Sequence, residues 1–265
     1  MILIFTLGLL LQTAAPQDIT QLMQRAEAGD AKAEYALGLD YARGSGVQAD
    51  DAQALRWFLK SAQQHYAAGE YALSELYMTG RGVAENDAKA LEWMKLAAEH
   101  GDPRAQYNLA ALYLAGRGVT KDESLAFTWM EKAARQGFTD GEFGLGSMYH
   151  DGTGVQRNDA EAMRWYRASA RHGSDDAANN LALLLATSPD PKVRNEQEAL
   201  KTAQDVVQRH PGEDPYLDTL AEVYFAQGDA KAAVETEKRA LGIKPGSEVY
   251  KSALAKYEKA AQPQR

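Results

Sequence analysis

An interval of 36 residues governs most of this sequence. Two glycines, a valine, a leucine, a tyrosine and a tryptophan each recur four times in register at that interval. The six columns begin at Leu37, Tyr41, Gly44, Gly46, Val47 and Trp57. A fixed period of this length indicates an array of supersecondary units, because one unit cannot bury its apolar face without its neighbours. Repeat positions are numbered here by the first copy, so that position 35 means Tyr35 and the residues 36, 72 and 108 places further on.

Each repeat is predicted to contain two helices. Ala33, Leu37 and Tyr41 lie at i, i+4 and i+8, which places them on one apolar stripe of a first helix. The paired glycines then end that helix, since glycine tolerates the left-handed conformation of a helix end. Position 50 is aspartate or asparagine in every copy and is predicted to cap a second helix. The four predicted caps are Asp50, Asn86, Asp122 and Asn158.

Taken alone, the stretch GRGVTKDESLAFTW at residues 116–129 resembles a phosphate-binding loop that leads into a helix. Asp122 and Glu123 would repel a phosphate at that helix N-terminus. The same pattern also occurs in the other three copies. We therefore interpret it as the turn between the two helices of one repeat and predict no cofactor.

The pattern Ala33–Leu37–Gly38–Tyr41–Gly44–x–Gly46–Val47–Asp50–Ala54–Trp57–Ala62 closely resembles the Sel1-like repeat. Residues 175–245 resemble two tetratricopeptide repeats, the first of them with an extended loop at residues 188–195. The resemblance implies an all-α fold, a right-handed α/α superhelical solenoid. It would comprise about four Sel1-like and two tetratricopeptide-like helix pairs plus a lysine-rich C-terminal capping helix near residues 247–260. The expected organisation is a Sel1-like solenoid over residues 18–173, continuous with tetratricopeptide-like repeats over residues 174–265.

The first 15 residues differ from the rest of the chain. Residues 2–11 are mostly apolar and no charged residue precedes Asp18, while Thr13 and Ala15 suit a cleavage site. We expect a signal peptide or an apolar N-terminal segment, and therefore an exported, periplasmic or secreted protein, with a cytoplasmic location as the alternative. Membrane contact is expected only through this segment.

Charge and composition argue against several classes of partner and of chemical site. The net charge of −8 argues against nucleic acid as a partner. The sequence contains no cysteine, which removes disulfides, thiolate metal sites and cysteine nucleophiles. No two histidines show the spacing of metal ligands on one helix, and His65, His100 and His172 are interpreted as helix-end residues. No catalytic, cofactor or metal site is therefore predicted.

Sel1-like and tetratricopeptide repeats act mostly as adaptors, so the resemblance implies a non-enzymatic scaffold that binds a protein or peptide, in the bacterial envelope. Two alternatives remain at this point. One is a β-lactam or cell-wall hydrolase by family association, although the cysteines of that subgroup are missing here. The other is a structural spacer in an envelope assembly.

A partner is expected on the concave face. At 100° per residue, positions 35 and 42 point about 180–200° from the buried stripe. Aromatic residues and methionine suit binding surfaces, although position 35 would also suit packing between first helices. Position 34 adds acidic residues near the same face, either to attract a basic segment or as a solvated row. The predicted partner-binding residues are Tyr35, Tyr71, Tyr107, Phe143, Met78, Leu114 and His150.

Overall fold

The computed structural model describes residues 19–262, which form 14 α-helices and no strand. The predicted all-α fold is confirmed. The predicted N-terminal signal segment lies outside the described residues. The helices up to the end of the second repeat are α1 (Ile19–Glu27), α2 (Ala31–Arg43), α3 (Asp51–Gln63), α4 (Ala67–Thr79) and α5 (Asp87–Glu99). The remaining helices are α6 (Pro103–Ala115), α7 (Glu123–Arg135), α8 (Thr139–Asp151), α9 (Asp159–Arg171), α10 (Asp175–Thr187), α11 (Glu196–Arg209), α12 (Asp214–Ala226), α13 (Ala230–Ile243) and α14 (Glu248–Ala261).

The four 36-residue repeats are the antiparallel pairs α2–α3, α4–α5, α6–α7 and α8–α9. All four predicted N-caps are confirmed: the side chains of Asp50, Asn86, Asp122 and Asn158 accept hydrogen bonds from backbone N–H groups one turn on. Such a cap contributes on the order of 1 kcal/mol to helix stability. The first helices end as predicted, for example at Gly44, whose φ is +73° and whose N–H donates to the Asp40 carbonyl.

The chain divides between Asp102 and Pro103 into two compact units. The first unit contains α1–α5, and α1 packs on α2 as an initiating helix. The second unit contains α6–α14, including two further helix pairs, α10–α11 and α12–α13, and the lysine-rich helix α14 packed on α13. The predicted domain boundary between residues 173 and 174 lies inside the second unit and stays a prediction.

Small residues at position 38 let the two helices of one repeat approach closely. A Cβ added to Gly38 would lie 2.6 Å from the ring of Phe58, and one added to Gly146 would lie 2.7 Å from the ring of Tyr166. In the second repeat the same position is Ser74, whose hydroxyl donates to the Ala90 carbonyl at 2.8 Å. In the first and fourth repeats the core of the pair is therefore built from an aromatic ring packed against a glycine, whereas Met94 and Met130 replace the ring in the second and third.

Within the two units, three of the four pairs of neighbouring first helices pack more closely than the neighbouring second helices do. In the first unit α2 contacts α4, and in the second unit α6 contacts α8 and α10 contacts α12. Among the described helices, no adjacent pair of second helices comes as close. Within each unit, the first helices therefore form the more crowded side, called here the first-helix layer: α2 and α4 in the first unit, and α6, α8, α10 and α12 in the second. Between Ile19 and Gln262, no helix has the length and apolarity that a membrane crossing requires.

Candidate interaction surface

The aromatic residues at position 35 lie on the first-helix layer and are packed rather than freely exposed. Tyr71 is buried, and the other three are half-buried. The ring of Tyr35 lies 5.8 Å from Phe58 and 5.7 Å from Tyr66, the N-cap residue of α4, the first helix of the next repeat. Aromatic pairs at such separations add about 1 kcal/mol beyond area burial. These rings therefore contribute to packing within and between repeats.

The second unit repeats this arrangement. Tyr107 lies 5.7 Å from Phe138, and Phe143 lies 5.8 Å from Tyr166. Burial raises the pKa of the Tyr107 hydroxyl, and the nearby Asp140 raises it further. The ring edges that stay accessible could still contact a partner, so the predicted binding role of position 35 stays a prediction.

Position 42 offers a more accessible set. Met78 and Leu114 are half-buried apolar side chains near the C-terminal ends of α4 and α6. His150 is the equivalent residue of α8, and its Nδ1 lies 3.6 Å from the carboxylate of Asp159. Its imidazole therefore faces the beginning of α9 as well as the surface.

The acidic row at position 34 is neither a binding face nor a solvated row, so both sequence interpretations were wrong. Its members, Glu34, Glu70, Gln106 and Glu142, are all buried. Each pairs with the residue 30 places further on, which closes the second helix of the same repeat. The pairs are Glu34–Gln64 (2.7 Å), Glu70–His100 (2.8 Å), Gln106–Gln136 (2.8 Å) and Glu142–His172 (2.7 Å).

These four pairs, called here the clamps, connect the first turn of each first helix to the end of its second helix. A buried carboxylate or amide needs a partner, since leaving it unpaired costs about 1–3 kcal/mol. In the sequence, His65, His100 and His172 are interpreted as helix-end residues. In the structure His100 and His172 cap α5 and α9, whereas His65 lies one residue past the cap of α3, Gln64. The clamp at Glu70 therefore has a second histidine beside it.

A cluster of acids lies near the C-terminal end of the second unit. Glu237 of α13 is fully buried beside Asp218 and Glu222 of α12. Burial, reinforced by the charge of Asp218, raises the pKa of Glu237 to about 7. Tyr257 of α14 donates its hydroxyl proton to Glu222 at 2.6 Å, which holds the last helix on the array.

Comparison with known proteins identifies the repeat. The Sel1 repeat matches this chain four times in succession, at residues 31–66, 67–102, 103–138 and 139–174. A comparison with curated proteins gave no match.

Two solved structures are similar over nearly the whole chain. A protective antigen present in uropathogenic Escherichia coli strains, which displays an SLR fold, is 30% identical with a TM-score of 0.71. That match covers 94% of this chain and 54% of the antigen, so this chain spans about half of the antigen's length. A Sel1 repeat protein from Oxalobacter formigenes is 24% identical with a TM-score of 0.66 over 91% of this chain and 93% of that protein, which shows the fold alone.

The four consecutive matches cover more than half of the chain, and their limits coincide with the helix pairs described above. The predicted resemblance to the Sel1-like repeat, including its place in the tetratricopeptide-like superfamily, is confirmed, and the two tetratricopeptide repeats at residues 175–245 stay a prediction. The chain belongs to the Sel1 repeat family, whose members are generally non-catalytic protein-interaction scaffolds.

Proposed function

We propose that this protein is a non-enzymatic scaffold of the bacterial envelope that binds a segment of a partner protein on its first-helix layer. The observation that carries the proposal is the presence of half-buried apolar side chains on that layer. Met78 supplies one in the first unit and Leu114 one in the second. Methionine and leucine of this kind can be covered further by a partner, and each such burial stabilises a complex by about 1–3 kcal/mol.

The chemistry favours an apolar or amphipathic segment as the partner. Tyr35 and Tyr107 are half-buried on the same layer, and tyrosine is enriched among residues that dominate binding energy. A helix that lays one apolar face in a groove uses anchors of this type. The acidic row no longer argues for a basic partner, because all four of its members are buried within the clamps.

The envelope location is supported by the apolar stretch at residues 2–11, followed by small residues suited to cleavage. The β-lactam or cell-wall hydrolase alternative gains no support from the site, and the chain lacks the cysteines of that subgroup. A structural spacer would not depend on the side chains of the first-helix layer, whereas a binding scaffold would. A substitution on that layer therefore distinguishes the two functions.

Replacing Met78 with glutamate is expected to lower partner recovery roughly tenfold, because a charge would lie where a partner buries an apolar anchor. The matched control is Leu59→Glu, which places the same charge on α3, outside the first-helix layer, at a side chain 38% exposed. The measurement is quantitative recovery of crosslinked partners from the native host, with circular dichroism to compare the folds and fractionation to locate the complex. Equal recovery by both variants would contradict the proposed surface, and a complex found only in the cytoplasm would contradict the envelope location.

A further inference from the structure

The clamp at Glu70 differs from the other three by an extra imidazole. In the fourth repeat Glu142 faces His172 alone, and the residue five places before Glu142 is Gly137. In the second repeat Glu70 faces His100, and His65 lies beside both. His65, Glu70 and His100 come from three separate segments: the turn after α3, the first turn of α4 and the end of α5.

His65 is held in a conformation that suits glycine. Its φ of +59° is the only positive value for a non-glycine residue in residues 19–262. The equivalent residues are Gly101, Gly137 and Gly173, with φ of +98°, +76° and +96°. A left-handed conformation costs a non-glycine residue about 1–2 kcal/mol. The chain thus carries a histidine at a position where the other repeats have glycine, which adopts this conformation without strain.

The three side chains converge on one small volume. Nδ1 of His100 lies 2.9 Å and 2.8 Å from Oε1 and Oε2 of Glu70, and Nδ1 of His65 lies 3.8 Å from the same Oε1. The two imidazole rings are 5.0 Å apart, centroid to centroid. One nitrogen from each imidazole and one carboxylate oxygen all lie within 4.8 Å of one another.

Burial gives the cluster an inner and an outer side. The Glu70 side chain is 1% exposed, whereas His65 is 75% exposed and His100 is 34% exposed. A buried carboxylate is costly unless it is paired, and a cation is its strongest partner. The exposed histidine leaves the outer side open to water.

Two imidazoles and one carboxylate are a set of ligands that zinc accepts. Zn²⁺ is bound by histidine nitrogens at about 2.0–2.1 Å and carboxylate oxygens at about 2.0–2.2 Å, with a water in the fourth position of an open site. Such distances place two ligand atoms of a tetrahedral site about 3.4 Å apart, and the 3.8 Å between His65 Nδ1 and Glu70 is slightly longer. Zinc binding would therefore draw His65, whose side chain is 75% exposed, slightly inward.

We propose that His65, Glu70 and His100 bind one Zn²⁺ ion in the first unit. The ion would join the end of the first repeat to the start and the end of the second, and would leave one coordination position facing solvent. His65 is the ligand that separates this site from the ordinary clamps, which hold one buried acid or amide and a single partner.

The test is zinc binding by the full, untagged chain, measured by isothermal titration with Zn²⁺ and by metal analysis after dialysis. We expect one zinc per chain, and a loss of at least tenfold in affinity in His65→Gly. Glycine is the residue of the three equivalent positions, so this variant is expected to keep the fold. His172→Gln, which alters the one-histidine clamp of the fourth repeat, is the matched control and should bind zinc like the original chain.

A designed second site gives an independent check. Gly137→His would add the missing imidazole beside Glu142 and His172, where an added Cβ would lie 3.8 Å from His172 Cε1, and should raise the stoichiometry to two. No zinc uptake by the original chain, or equal uptake by His65→Gly, would overturn the proposal. Unchanged stoichiometry in a folded Gly137→His chain would overturn the assignment of position 65 as the deciding ligand.

Discussion

Replacing Gly82 with alanine is expected to lower the free energy of unfolding by about 3 kcal/mol. Gly82 is the second glycine of the turn between α4 and α5, with φ of +69°. A Cβ there would lie 2.7 Å from the carbonyl carbon of Asp51 and closer still to its oxygen. Asp51 is the first residue of α3 in the preceding repeat, so the substitution forces apart two repeats as well as straining the backbone.

Gly46→Ala is the matched control for this prediction. Gly46 occupies the same turn position in the first repeat with φ of +72°, but the nearest atom to an added Cβ is Ile19 Cβ at 3.8 Å. This variant should show only the backbone strain, about 1–2 kcal/mol. Urea unfolding of both variants measures the difference. Equal destabilisation would contradict a close contact between the turn and the preceding repeat.

Replacing Glu237 with glutamine is expected to stabilise the protein by about 1–3 kcal/mol above pH 7, and to have little effect near pH 4. The pKa of Glu237 is raised from its ordinary value of 4.5 to about 7, first by burial and then by Asp218. The folded state holds this proton more tightly than the unfolded state. The contribution of protonated Glu237 to the free energy of unfolding is therefore fully present below pH 4.5, and it is lost as pH rises through about 7.

Glutamine stays neutral at every pH and has nearly the same size and shape as glutamate, so the variant removes only the charge. Glu235→Gln is the control, since Glu235 lies on the same helix and is exposed. The measurement is the free energy of unfolding of all three chains between pH 4 and pH 8. A stability difference between Glu237→Gln and the original chain that does not grow with pH would contradict the raised pKa.

The repeat architecture could be predicted from the sequence because each structural requirement recurs in register. These requirements concern residues that are close together in the sequence, so they are visible as columns in the 36-residue alignment of the repeats. Examples are the caps at Asp50 and its equivalents, the small residues at position 38 and the turn glycines. The division into two units between Asp102 and Pro103 could not be predicted, because the repeat pattern is the same on both sides of it.

The clamps could not be predicted because they join residues 30 places apart on antiparallel helices. Helical geometry gives the direction of Glu34 relative to Ala33, but it does not reveal that the end of α3 covers it. The histidine cluster was missed for the same reason, since ligand spacing was sought along single helices. The available signal was the interruption of a glycine column by His65, which sits next to a clamp whose partner is also histidine.

The role of the first-helix layer is the central claim, and site-specific photo-crosslinking in the native host tests it most directly. A photoreactive phenylalanine derivative would replace Met78 in one chain, Leu114 in a second and Leu59 in a third. We predict that the first two form discrete adducts with a partner protein identifiable by mass spectrometry, and that Leu59 forms none with that partner. Adducts of equal yield from all three positions, or from Leu59 alone, would contradict partner binding by the first-helix layer.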